Sequence, residues 1–197
     1  MGFGAKHSAS SSNIGFGVAA NSKASDSATR SPLFANDRLR VVLDADALKW
    51  LAKQPEWWTH LPPGRVVLTP HPGEMEGLTG RPAKEIVANP AAIAKEYAAM
   101  WRQAVVVKSG YSAASDGKRT LVADDAPVSL ATAGSGDVLA GTIGAFLAQG
   151  LAPVDAAGLA LYVGVRSARA LEQTYGDLGV IATDMPDALA GELGKLS

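Results

Sequence analysis

From Leu39 onwards the chain alternates short apolar runs with longer stretches whose apolar residues recur at helical spacing. Residues 40–43, 65–68 and 104–107 are each about four residues of near-continuous hydrophobicity, as in a parallel strand buried on both faces. Between them, 47–53, a segment around Met75 and the alanine-rich 90–102 read as helices. Asp116-Gly117 marks a hairpin turn, with 120–123 as the strand pairing back. The remainder is helical. A segment over 153–173 carries Ala157, Leu161, Val165 and Leu171 on one face, with Gly176 as its stop. Thr183 is placed to cap a last helix containing Met185, Leu189 and Leu193. Strands alternating with helices predict an α/β fold around a mostly parallel sheet.

One stretch departs from plain alternation. Residues 131–150 read ATAGSGDVLAGTIGAFLAQG, a run of small residues followed by Val138, Leu139, Ile143, Phe146 and Leu147 at helical spacing. Gly134 and Gly136 permit a tight turn and let a ligand approach bare backbone, and the positive end of the following helix favours phosphate. Asp137 has two readings there: a first-turn acid favoured by the helix dipole, or a base towards a hydroxyl attacking that phosphate. Gly141 and Gly144 each cost about 1 kcal/mol inside a helix, which predicts a closely packed neighbour on that smooth face.

The carboxyl ends of the predicted strands carry the other polar candidates, and in open α/β sheets ligands gather at that edge. Asp44 and Asp46 follow the first strand, either as helix caps or as site acids. His71 follows the second, flanked by Pro70 and Pro72 in a rigid loop, and is a structural or a ligand-contacting imidazole. Glu74 reads as a first-turn acid. Lys108 ends the third strand and is either a solvated charge or a phosphate contact.

With 197 residues and 47% hydrophobic content the chain has material for one substantial core. A net charge of −1 without any basic block gives no electrostatic case for nucleic acid or a membrane surface as partner. Cysteine is absent, so neither a disulfide framework nor a thiolate metal site exists. No apolar stretch approaches the roughly 20 residues of a membrane span, and the opening residues lack the apolar core of a signal peptide. Residues 1–37, rich in Ser, Ala, Gly and Asn, read as a poorly structured or atypical segment ahead of a domain over 38–197. Residues 14–18, IGFGV, form an island in it that is a strand end or a linker. No internal repeat, metal-ligand spacing or nucleophile elbow is present.

Four motifs in order, DADAL at 44–48, LTPHPGE at 68–74, VVVKSG at 105–110 and ATAGSGDVLAG at 131–141, resemble the ADP/ATP-dependent NAD(P)H-hydrate dehydratase family. The resemblance implies a ribokinase-like three-layer sandwich that lacks the N-terminal part of the family fold. Gly15-Phe16-Gly17 echoes that family's Gly-Pro-Gly-Leu-Gly turn imperfectly, and Lys108-Ser109 stands where its members usually have Lys-Gly.

The implied activity is dehydration of (S)-NADHX or (S)-NADPHX to NADH or NADPH, driven by ADP or ATP with Mg²⁺. By position, the resemblance assigns Lys108, Ser109, Gly110, Tyr111 and Ser112 to nucleotide contact, together with Ala133, Gly134, Ser135 and Gly136. It assigns His71 and Asp137 to the hydrated nicotinamide, with Asp137 as catalytic base. Asp44 and Asp46 join the substrate side as residues of the same edge, with no contact carried over. A cytoplasmic homo-oligomer, tetrameric in bacterial members, is also implied. A small-molecule kinase of the same fold would stop at the phosphate ester, and an inactive remnant would bind nucleotide without turnover.

Overall fold

The computed structural model describes residues 32–196. Strands β1 (Val41–Leu43), β2 (Val66–Leu68), β3 (Ala104–Val107), β4 (Ala113–Ser115) and β5 (Thr120–Val122) form one sheet in sequence order. β1, β2 and β3 run parallel, with Val41 opposite Val66 and Leu68 opposite Val105. The hairpin β4–β5 adds antiparallel, Val105 facing Ser115 and Ser115 facing Thr120.

Among the described residues seven α-helices cover the two faces: α1 (Asp46–Leu51), α2 (Pro72–Thr79), α3 (Ala83–Ala88), α4 (Pro90–Trp101), α5 (Ser135–Ala148), α6 (Pro153–Tyr175) and α7 (Met185–Gly194). The period-2 alternation of strand side chains divides the core. Val66, Leu68, Val105 and Val107 face α1–α4, where Trp57, Tyr97 and Trp101 stack with ring centroids 4.9–5.0 Å apart. Val67, Ala104 and Val106 face α5–α7, against Ile143, Phe146, Ala157 and Leu161. Both faces of the central strands are therefore dry, which explains their unbroken hydrophobicity.

Several sequence expectations change in detail. α3 has no counterpart among the predicted helices, because six residues between two prolines give too short a pattern to register. Thr183 does not cap the last helix: it lies in a 3₁₀ turn over Ala182–Asp184, and the Asp184 carboxylate accepts the Ile181 N–H at 2.9 Å. Neither Asp44 nor Asp46 caps α1, whose N-cap is Ala45 with no side-chain bond. Around Gly141 and Gly144 the space where a Cβ would sit is open among the described residues, so the close neighbour expected there is not found. Those glycines lie on α5, which packs beside β1 at the sheet's edge, and Gly144 lines a shallow groove with Arg38 and Arg40. Phe34, from the stretch expected to be atypical, is buried in the core, while residues 14–18 lie outside the described residues.

Candidate active site

Backbone bonds gather the carboxyl ends of the three parallel strands into one ledge. Thr69 N–H donates to the Leu43 carbonyl at 3.1 Å, and Lys108 N–H to the Pro70 carbonyl at 2.9 Å. Asp44, His71 and Lys108 consequently leave the sheet side by side.

Lys108 Nζ lies 2.7 Å from Asp44 Oδ1, a half-buried ion pair that spans the ends of β3 and β1. Glu74 Oε2 is 4.0 Å from the same ammonium. The first turn of α5 closes over the group: a Cβ on Gly136 would stand 3.3 Å from Lys108 Nζ and 3.8 Å from Asp44 Oδ2. Glycine there lets the ammonium lie close against the backbone. Gly134 serves differently, as the left-handed residue (φ 89°) that turns the chain into α5.

A helix opens with amides that its own carbonyls cannot reach, and Val138 N–H makes the first intrahelical bond of α5. Ser135 N–H reaches the Thr132 carbonyl and Val138 N–H the Gly134 carbonyl, whereas the Gly136 and Asp137 amides have none among the described residues. Two unspent amides, a helix dipole and an ammonium together make a binding place for an anion. Ser135 Oγ fixes the turn from below by donating to the Leu130 carbonyl at 2.7 Å. Beside β3, Ser112 Oγ accepts from Ser109 N–H and donates to the Ser109 carbonyl, closing the 109–112 turn.

From this point a cavity of about 510 Å³ runs down between the 123–131 loop and helices α5–α7. Lys108, Ser109, Gly110, Ser112, Ser135 and Gly136 line its mouth, and Leu130, Leu139, Ala160, Leu161, Val165 and Met185 its depth. Its volume falls within the range of small-molecule pockets, about 300–1,000 Å³, and its polarity is graded from charged mouth to apolar floor. The loop wall is held by Arg169, which grips Asp125 through Nη2–Oδ1 at 2.6 Å and Nε–Oδ2 at 2.5 Å and pairs with Glu172 at 2.7 Å. The guanidinium holds the Asp125 carboxyl down at about 2. Glu172 in turn accepts the Ser129 N–H at 3.1 Å.

The remaining sequence candidates lie around this core. Asp137 is exposed, next to Gly136 but outside the cavity lining, and its carboxylate has no partner among the described residues. His71 is half-exposed at the N-cap of α2. Asp46 projects into solvent and pairs with Lys49 at 2.9 Å, so it stands apart from the Asp44–Lys108 cluster. Tyr111 is exposed, and Ala133 does not line the cavity. Two features are not visible in the sequence pattern. Glu74 is buried with 6% of its side chain exposed, and Ala45, beside Asp44, holds φ 49° and ψ −120°.

A glycine-led helix start beside a lysine, next to a cavity at the carboxyl edge of a mostly parallel α/β sheet, is the architecture of the ribokinase-like class. The chain belongs to the NAD(P)H-hydrate dehydratase family, whose profile matches residues 5–190. It is 37% identical over 150 residues to the bifunctional NAD(P)H-hydrate repair enzyme Nnr of Salinibacter ruber, covering 76% of this chain and 27% of that one. It is 36% identical over 159 residues to the ADP-dependent (S)-NAD(P)H-hydrate dehydratase of Xanthomonas campestris, covering 79% and 52%. Among solved structures, the Bacillus subtilis ADP/ATP-dependent NAD(P)H-hydrate dehydratase co-crystallised with ATP and Mg²⁺ superposes with a TM-score of 0.70 at 29% identity, over 80% of this chain and 55% of that one. The chain thus spans about half the length of the single-function dehydratase and under a third of the bifunctional enzyme.

Proposed function

We propose that the protein restores NADH or NADPH from (S)-NADHX or (S)-NADPHX, using ADP or ATP as phosphoryl donor. The observation that carries this reading is the approach of Lys108 to Gly136 on the cavity lining, at a helix start whose Gly136 and Asp137 amides are unspent among the described residues. The base and ribose of the nucleotide occupy the apolar floor, and its phosphates reach the helix start. There Lys108 exchanges part of its contact with Asp44 for phosphate oxygen, and the 109–112 turn and the 133–136 loop flank it.

The hydroxyl oxygen of the hydrated ring attacks the terminal phosphorus while the bond to the leaving nucleotide breaks. Asp137 accepts the hydroxyl proton, and the amides stabilise the charge that develops on phosphorus oxygens. The ring nitrogen's electron pair then expels phosphate, and loss of a proton from the neighbouring carbon restores the ring double bond. With ADP the products are the reduced dinucleotide, AMP and phosphate; no oxidation state changes. His71 contacts the nicotinamide end of the hydrate, and Asp44 acts from behind by holding Lys108.

Mg²⁺ enters with the nucleotide. No group of three His, Asp or Glu side chains poised for a metal occurs among the described residues, so the nucleotide phosphates would hold most of the ion, which would supply charge neutralisation there. No helix among the described residues is long and apolar enough to cross a membrane, and the reading carries with it a cytoplasmic, homo-oligomeric enzyme, with a tetramer as the expected form.

The test is incubation of the purified chain with hydrated NADH and each nucleotide, following the reduced dinucleotide's near-ultraviolet absorbance. Recovery of absorbance with release of phosphate supports the reading. A stable phosphate ester would instead indicate a small-molecule kinase, and binding of ADP without turnover a nucleotide-binding remnant.

A further inference from the structure

The buried carboxylate of Glu74 does more than complement the dipole of α2. Its Oε2 accepts the His71 backbone N–H at 2.9 Å, while His71 Nδ1 accepts two amides, Gly73 N–H at 3.0 Å and Glu74 N–H at 3.2 Å. This is a reciprocal capping box with an imidazole in the place usually taken by a hydroxyl. A lone pair that receives two N–H donors cannot carry a proton, so the hydrogen-bond network assigns the neutral ring's proton to Nε2. Glu74 Oε1 lies 3.4 Å from that nitrogen without forming a hydrogen bond to it, which leaves the Nε2–H available. The carboxylate also stands 4.0 Å from Lys108 Nζ, so one buried side chain touches both the imidazole and the phosphate-side ammonium.

We propose that Glu74 is a positioning residue: by accepting the His71 backbone N–H it closes the cap of α2, holds His71 Nδ1 on the Gly73 and Glu74 amides, and so keeps the ring an Nε2–H donor. Resting on the dehydratase reading, this limits His71 to donating a hydrogen bond to an oxygen of the hydrated nicotinamide, such as its carboxamide carbonyl or ring hydroxyl. The ring has no free lone pair with which to remove a proton. The base role consequently falls outside His71, and the hydrate must present an acceptor to it.

Long-range ¹H–¹⁵N correlation of the histidine side chains in the labelled chain tests this at about pH 8, where an ordinary imidazole is neutral, with His71→Gln identifying the signal. The wild type shows the Nε2–H pattern. Glu74→Gln, which keeps an acceptor for the His71 N–H, retains it, and Glu74→Ala gives a mixture of tautomers. In the hydrate assay Glu74→Ala raises KM about tenfold with a smaller loss in kcat, and Glu74→Gln recovers most of the difference. An Nδ1–H pattern in the wild type overturns the inference, as does an unchanged tautomer in folded Glu74→Ala. Should Glu74→Ala fail to fold, the wild-type and Glu74→Gln spectra still decide, since an Nδ1–H pattern in either contradicts the assignment. If the tautomers behave as stated and even the wild type does not turn over hydrate, the dehydratase reading fails while the positioning role of Glu74 stands.

Discussion

Lys108 and Asp44 are 64 residues apart in sequence, yet their side chains meet at 2.7 Å across the end of the strand that separates them. The pair is half-buried, with 20% and 14% of the side chains exposed, so each charge depends on the other for part of its solvation. Breaking such a pair from one side leaves the survivor uncompensated. Asp44→Asn and Lys108→Met are expected to destabilise singly, and the double variant by less than their sum. Chemical denaturation of the four proteins should give a coupling on the order of 1–2 kcal/mol; strict additivity would mean that the contact is energetically idle.

Gly136→Ala separates fold from site. Alanine is favoured over glycine in a helix by about 0.5–1 kcal/mol, so stability is expected to hold or rise. The new methyl would stand 3.3 Å from Lys108 Nζ and must push the ammonium aside. Isothermal titration with ADP should show about a tenfold weaker Kd, or roughly 1.4 kcal/mol. Unchanged affinity would detach the helix start from nucleotide binding.

Ala45 is strained where it turns the chain from β1 into α1, at φ 49° and ψ −120°. This conformation suits glycine and costs other residues about 1–3 kcal/mol, more than the backbone entropy a glycine would add. Ala45→Gly is therefore expected to stabilise by roughly 1 kcal/mol and raise Tm by a few degrees. Because the turn is retained, Asp44 keeps its place and nucleotide affinity does not change; a lower Tm would show that the residue is not strained.

The Asp125–Arg169 clamp predicts a pH signature. Arg169 holds the Asp125 carboxyl at about 2, below its ordinary 3.8. A depressed acid binds fewer protons folded than unfolded, so its stabilising contribution is complete above the unfolded value. It is lost as the pH falls from about 4 through about 2. Asp125→Asn should flatten the stability profile in that window and leave it parallel to wild type above about pH 5. An unaltered acid limb would show that the clamp does not hold the loop in solution.

β2 and β3 are legible in the sequence because strands buried on both faces announce themselves as unbroken β-branched runs, and β1 has the same pattern although its residues are only partly buried. The turn that opens α5 is legible because paired glycines ahead of an apolar helical period mark a backbone that must turn tightly or be approached closely. Less visible is anything that depends on two distant segments. That Asp44 pairs with Lys108 follows from the sheet order β1-β2-β3, which periodicity does not encode. Asp44 and Asp46 look equivalent in DADAL, yet one points into the cluster and the other into solvent beside Lys49. The His71–Glu74 box does leave a trace, an acid three residues after the cap position, but imidazole is an unusual cap. Gly141 and Gly144 mislead in the other direction, since among the described residues nothing packs on them.

Whether Asp137 takes the proton from the hydrate's hydroxyl as phosphorus is attacked is tested by Asp137→Asn in the hydrated-NADH assay with ADP. Asn keeps the helix start and the free amides but cannot accept the proton. Recovery of the reduced dinucleotide is expected to fall by about two to four orders of magnitude, the range of general-base catalysis, while ADP binds as tightly as to wild type. Turnover by Asp137→Asn within a few-fold of the wild-type rate would contradict the base role.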